Sequence, residues 1–262
     1  MSVSKGYGPS TAAVRTAQAA LVVGALIGWE AGVRQGWLSA EFVSRPSAVG
    51  AVIAEWVRGG FLWPHLAATV QAAMVGLVLG LAVGGTLGFL VMFVPAVGEV
   101  IEPAMSTLNA VPRIVFYPLL MLWLGLGMAS KVGLVVTIVA FVGYFTTVGA
   151  VREVDRLLLA QVRILGASPA AMFRHLYLPA TLAWMVTSLR MSVGLALIGA
   201  ILGEYMGSMR GIGNVIMGAQ NLFQTPQVMA GLTLTLALAA TADSILAYLE
   251  RRWSAWRRVQ QP

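Results

Sequence analysis

Six apolar stretches constrain this chain more than any other feature, each about as long as a helix needs to cross a hydrocarbon core of roughly 30 Å. They run approximately over residues 17–33, 66–94, 104–126, 132–150, 182–205 and 228–249. So many long apolar runs cannot share one water-soluble core, and the bilayer must solvate much of their surface. Hydrophobic residues make up 58% of the chain and charged residues 10%, against roughly 45–50% and about 25% in soluble domains. In lipid each single span must satisfy its own backbone groups, so every stretch is expected to be a helix. The fold class is all-α integral membrane with about six spans.

Lys and Arg collect in cytoplasmic loops, which orients the spans. With the N-terminus inside, inner segments carry Lys5, Arg15, Arg152, Arg156, Arg163, Arg174, Arg251, Arg252, Arg257 and Arg258. That is twice as many as the outer Arg34, Arg45, Arg58, Lys131 and Arg210. Both termini are expected in the cytoplasm, with residues 210–226 outside. A basic region ahead of the first span also resembles the start of a signal peptide, whose removal would leave the other five spans oriented the same way. The span lacks a small-residue cleavage site close behind it, so its retention is expected. The formal net charge of +7 is this loop bias rather than a nucleic-acid surface, because the basic residues form no single patch with aromatics between them.

The chain has no cysteine, which excludes disulfides, thiolate catalysis and cysteine-ligated zinc. His65 and His175 are too isolated for a metal site and read as loop or interface residues. No Ser/His/Asp grouping has a catalytic spacing, and no G-x-x-x-x-G-K-[ST] phosphate loop occurs. The chain is therefore expected to be no enzyme, and any ATP and Mg would be bound by a partner.

Between the first two spans, Val49, Val52, Ile53, Trp56 and Val57 recur at helical spacing with Glu55 and Arg58 off the stripe. This predicts an amphipathic helix lying in the outer interface, too short to span and stopped by Gly59-Gly60. The second span carries Gly76, Gly80, Gly84 and Gly88 at four-residue steps. They form one groove that a neighbouring backbone can approach closely. It serves packing within the subunit, or a subunit contact or sliding surface used in gating.

The longest cytoplasmic loop, residues 151–180, has internal structure. Leu157, Leu158, Val162 and Leu165 make a helical stripe that Gly166 ends. Ser168-Pro169 opens a second helix as capping residue and first-turn proline. Leu178-Pro179 marks entry to the fifth span. Ala167, Ala170, Ala171, Met172 and Phe173 form an apolar knob beside Arg174 and His175, and such a knob calls for a socket on a partner or on the inner membrane surface.

Ionisable residues inside spans are functional candidates, since each costs roughly 2.5–3.5 kcal/mol at the bilayer centre. They are Arg113, Arg190, Glu204 and Asp243; Glu30 lies near an outer end and reads as interfacial. A rise of about 1.5 Å per residue puts Arg113 and Arg190 roughly 12–14 Å from the inner face and Asp243 roughly 9 Å. An Arg190–Asp243 ion pair is expected, with Arg113 nearer the substrate route. Glu204, near the outer mouth, would cap a helix or help a gate.

Gly166 followed by Leu178-Pro179 resembles the cytoplasmic EAA loop of binding-protein-dependent ABC importer permeases. The likeness extends through Val151-Arg152-Glu153-Val154-Asp155, Ile164-Leu165-Gly166-Ala167-Ser168, Ser188-Leu189-Arg190, Gly203-Glu204 and Gly211-Ile212-Gly213. With Pro46-Ser47 and the closing Leu249-Glu250-Arg251-Arg252, it covers about residues 42–253 and resembles the nitrate/sulfonate/taurine branch. Where the family often has Glu-Ala-Ala, this chain has Ala160-Gln161-Val162, so the usual charged anchor is missing.

The resemblance implies a type I permease fold in a bacterial cytoplasmic (inner) membrane. The expected division is 1–64 (tail, first span and external helix), 65–250 (permease core) and 251–262 (basic cytoplasmic tail). It implies a homodimer, two ABC ATPase subunits engaging Gly166, Ala167, Ser168, Pro169, Ala171, Met172, Phe173, Leu178 and Pro179 as a coupling helix, and an extracytoplasmic substrate-binding protein. Mechanism would be alternating access. The branch carries nitrate, sulfonates and taurine, while close relatives carry pyrimidine vitamin precursors or other aromatic compounds. A secondary transporter would instead show inverted repeats with broken helices at matching positions, and no such symmetry is present.

Overall fold

The computed structural model describes residues 11–257, and among them every regular element is helical. α1 (Thr11–Arg34) is the first span. It stands off from the bundle, with Leu21 73% and Ile27 63% exposed, as a lipid-facing helix would be. After the short α2 (Ala40–Val43) comes the amphipathic α3 (Pro46–Arg58), ending at Gly59 with Gly60 at φ 75°. Glu30 ties α1 to α3. Its carboxylate accepts from the Ser47 backbone N–H at 3.0 Å and from Ser47 Oγ at 2.9 Å, satisfying donors in the first turn of α3. Arg34 Nε donates to the same group at 2.8 Å.

The second span is α4 (Leu62–Phe93), followed by α5 (Pro95–Asn109). The stretch expected as one continuous third span is broken. α5 ends, a 3-10 turn covers Arg113–Phe116, and α6 (Tyr117–Leu124) leaves at a bend of 100°. Pro112 is the physical reason: it has no N–H to donate to the preceding turn, and its ring drives Val111 out of helical conformation. α7 (Met128–Arg152) is the next span.

The glycine groove of α4 is filled by α7 of the same chain. A Cβ at Gly76 would lie 2.4 Å from the Val135 side chain, and one at Gly84 would lie 2.0 Å from the Ala140 carbonyl oxygen. At Gly80 and Gly88 the obstacles are the Val139 and Thr147 side chains, each at 2.7 Å. Packing within the subunit is thus what these glycines serve; they are not free for another subunit.

Beyond α7, α8 (Arg156–Ile164) and α9 (Pro169–Met172) build the long loop. A π-helical turn over Phe173–Tyr177 runs without a break into α10 (Leu178–Gly207). Leu178-Pro179 therefore lies inside a continuous helical path rather than at a fresh start. Pro179 offers no N–H to the carbonyl four residues back, and the wider turn, with Leu178 N donating to Phe173 O, accommodates this. α11 (Ile212–Asn221) is too short to span, and α12 (Thr225–Arg257) is the last span. The central core joins Ala72, Ala73 and Leu77 of α4 to Val135 and Val139 of α7 and to Ala196, Leu197 and Ala200 of α10.

α11 is an element that reading the sequence for spans missed, since residues 210–226 were expected only as an outer loop. Its signal was present: Ile212, Ile216 and Ala219 recur at helical spacing, and all three are buried. Gly211, at φ 129°, makes the turn into it.

Candidate functional site

Three places carry the candidate residues, and α4 connects two of them. At its first turns lies a buried polar node around Glu204. Glu204 Oε2 accepts from Thr69 Oγ1 at 2.8 Å and from the Gly213 backbone N–H at 3.1 Å. Lys131 Nζ approaches Oε1 at 3.4 Å and also donates to the Arg210 carbonyl at 2.9 Å. Thr69 Oγ1 in turn accepts from Ile212 N at 3.0 Å. His65 Nδ1 lies 3.1 Å from both the N and the O of Gly211. Four helices, α4, α7, α10 and α11, meet here through side chains that leave little of the carboxylate unsatisfied.

Glu204 was expected near the outer mouth as a cap or gate residue, and it does hold the start of α11. Lys131 is a correction. It was counted among outer-loop charges, but it sits in the first turn of α7 and is 2% exposed. The sequence signal was weak, a single lysine four residues past Gly127. Burial against a carboxylate 73 positions away is a tertiary fact.

At the other end of α4, about 24 residues and on the order of 35 Å away, lies the cytoplasmic loop. Asp155 caps α8 by accepting from Leu157 N at 2.8 Å, and Ser168 Oγ caps α9 by accepting from Ala171 N at 3.2 Å. Gly166 takes φ 79° between them, a backbone state that excludes most side chains. Part of the expected knob is turned inward, while Pro169, Ala170 and Phe173 remain exposed. Met172 is 7% exposed, packed with Val151 and Tyr177 and flanked by Leu159, Val162 and Ala167. Phe173 sets its edge against Phe89 at 5.1 Å and Phe93 at 5.8 Å. The α8 stripe is likewise turned: Leu159 and Val162 face inward, whereas Leu157 is 65% exposed. The protruding apolar tip is Ile164 at 85% and Leu165 at 84%, just before Gly166. Met172 and one side of Phe173 lie against the end of α4, which spacing alone does not reveal.

Between these ends lie the remaining intramembrane charges. Arg190 and Asp243 meet as a bidentate pair, Nε with Oδ1 and Nη2 with Oδ2, the latter at 2.6 Å. Each side chain is half exposed. Arg113 is placed differently: it follows the Pro112 break, donates from Nη2 to Asn109 Oδ1, and lies 4.6 Å over the centroid of Phe141. Among the described residues no group of three or more His, Cys, Asp or Glu is placed to hold a metal.

The model of the family described as "Binding-protein-dependent transport system inner membrane component" matches residues 62–255. The chain is 32% identical to the putative aliphatic sulfonates transport permease protein SsuC of Escherichia coli (strain K12), over 93% of this chain and 92% of that one. It is 31% identical to the riboflavin transport system permease protein RibX of Chloroflexus aurantiacus, over 88% and 87%. Among solved structures, an inward-facing form of the MetNI methionine ABC transporter superposes with a TM-score of 0.59 at 20% identity, covering 80% of this chain and 99% of that one. Fold, projecting loop and sequence agree, and the chain belongs to the binding-protein-dependent inner membrane components, as an ABC importer permease of the branch that includes the sulfonate permeases.

Proposed function

We propose that this chain forms one half of the pathway of an ATP-driven importer, working as a homodimer. Two ATPase subunits would bind at the α8–α9 loop, and a soluble binding protein would deliver solute at the opposite face. The observation that carries the coupling role is the pair Ile164 and Leu165, more than four-fifths exposed on a loop whose helices are capped by Asp155 and Ser168. Apolar side chains held out in this way need a partner surface. Orientation follows from the basic residues: the loop end is cytoplasmic, the Glu204 end is external, and both termini lie inside.

The solute we infer is a small sulfonate-like, nitrate-like or taurine-like anion. The sulfonate permease from Escherichia coli supports this by name and by near full-length similarity. The riboflavin permease, at almost the same identity, keeps an aromatic or pyrimidine solute as the second reading. ATP and Mg belong to the ATPase subunits in this scheme, and energy reaches the pathway by rigid movement of the loop. The test is reconstitution of the chain with its ATPase and binding protein in vesicles holding ATP. Uptake of labelled ethanesulfonate that requires both partners supports the first reading. Uptake of riboflavin alone would select the second, and uptake driven by an ion gradient without the ATPase would overturn the importer scheme.

A further inference from the structure

The break between α5 and α6 cannot face hydrocarbon. Irregular backbone at membrane depth persists only where protein or water covers it, yet Ala110 and Pro112 are exposed on the single chain. The half-exposed Arg190–Asp243 pair makes the same demand on α10 and α12. These features mark surface that faces a water-filled or subunit-lined space.

Arg113 sits at that break and differs from the other cations of the spans. Lys131 and Arg190 each have a carboxylate partner. Among the described residues none lies within ion-pairing reach of Arg113. Its contacts are the neutral amide of Asn109 and the face of Phe141, and its Nε is buried without an acceptor. An amide and an aromatic face orient a guanidinium without cancelling its charge. A formal charge left uncompensated in a low-dielectric span is costly, so the site favours a negative ligand.

We propose that Arg113 is the anion-selecting residue of the pathway, meeting the charged head of the passing solute at the α5–α6 break. The proposal rests on the reading of the chain as a permease for a sulfonate-like anion and adds the residue that recognises the charge. A planar guanidinium can present two donors to an oxyanion at once. Arg190, already bidentate with Asp243, offers no net charge for this task.

The test uses the absence of native cysteine. In the permease–ATPase complex in nanodiscs, A110C introduces the only thiol of the permease next to the break. It is labelled with the anionic 2-sulfonatoethyl methanethiosulfonate and, separately, with its cationic trimethylammonium analogue. The anionic reagent is expected to react about tenfold faster, with the preference shrinking as salt rises. R113Q should erase the preference and R113K should keep it, the latter showing that the fold survives change at this position. Equal rates with Arg113 present, a preference unchanged by R113Q, or no reaction with either reagent would each overturn the proposal. Ethanesulfonate uptake by the same complexes separates the two readings. A wild type that carries no sulfonate sinks the substrate assignment, whereas R113Q that labels and transports like wild type sinks only the role of Arg113.

Discussion

The Lys131 ammonium lies 3.4 Å from the Glu204 carboxylate, with the two side chains 3% and 0% exposed. Neither charge can reach water, and each explains why the other is tolerated. The carboxylate also organises the chain around it. A Cβ at Gly211 would stand 1.9 Å from Glu204 Cδ, so glycine is required there by contact as well as by its φ of 129°.

Removing one member of this pair should cost far more than removing both. Lys131→Met or Glu204→Gln alone strands a buried charge, and such losses run to about 3–5 kcal/mol. The combined variant should lose less than the sum of the two. Thermal unfolding of the purified permease in detergent measures this, and strictly additive losses would show that the two groups do not act together.

The α4–α7 contact predicts opposite outcomes for two glycine substitutions. Gly84→Ala sets a methyl group against the Ala140 backbone, which cannot rotate away, and overpacking of this kind costs about 1–3 kcal/mol. Gly28→Ala on α1 meets nothing within 4 Å and should be neutral or stabilising by up to about 1 kcal/mol. Equal melting temperatures for the two variants would mean that α4 and α7 are not in close contact.

The proposed docking of the ATPase on the exposed tip of the loop predicts which mutations should uncouple the permease. Ile164→Asp and Leu165→Asp should abolish co-purification of the ATPase while insertion and melting of the permease stay normal. Met172→Asp should destabilise the permease itself, because Met172 is enclosed by Val151 and Tyr177. Phe173→Asp should do so more mildly by losing its edge contacts with Phe89 and Phe93. Normal ATPase recovery with both tip variants would place the docking surface elsewhere.

Arg190 and Asp243 should be exchangeable. Arg190→Asp or Asp243→Arg alone places like charges together and should impair assembly in the membrane. The swapped double variant restores an opposite pair and should recover it. Size-exclusion profiles of the three variants read this directly; no recovery in the swap would mean that position-specific contacts outweigh the charge.

Orientation is tested by thiols placed in a chain that has none. Asn221→Cys should react with an impermeant maleimide in intact cells, and Ser168→Cys should react only after lysis. Labelling of the second from outside would invert the topology.

Much of this architecture could be read before any coordinates, because a bilayer imposes its demands locally. Span lengths, the amphipathic stripe of α3, its stop at Gly59-Gly60, and the Ser168-Pro169 cap each depend on a few neighbouring residues and one solvent. The Arg190–Asp243 pair was also legible, since two opposite charges in an apolar layer have few other partners. What only the folded chain settled depends on long-range contact or on a local break in a helix. Lys131 looked like a loop charge until Glu204, 73 residues away, was seen to bury it. Pro112 turned one expected span into a 100° break, and packing against Val151 and Tyr177 buried Met172 while Ile164 and Leu165 stayed exposed at the tip. Composition and periodicity record which surfaces avoid water. They do not record which buried group meets which, because that is set by helices packing across the whole chain.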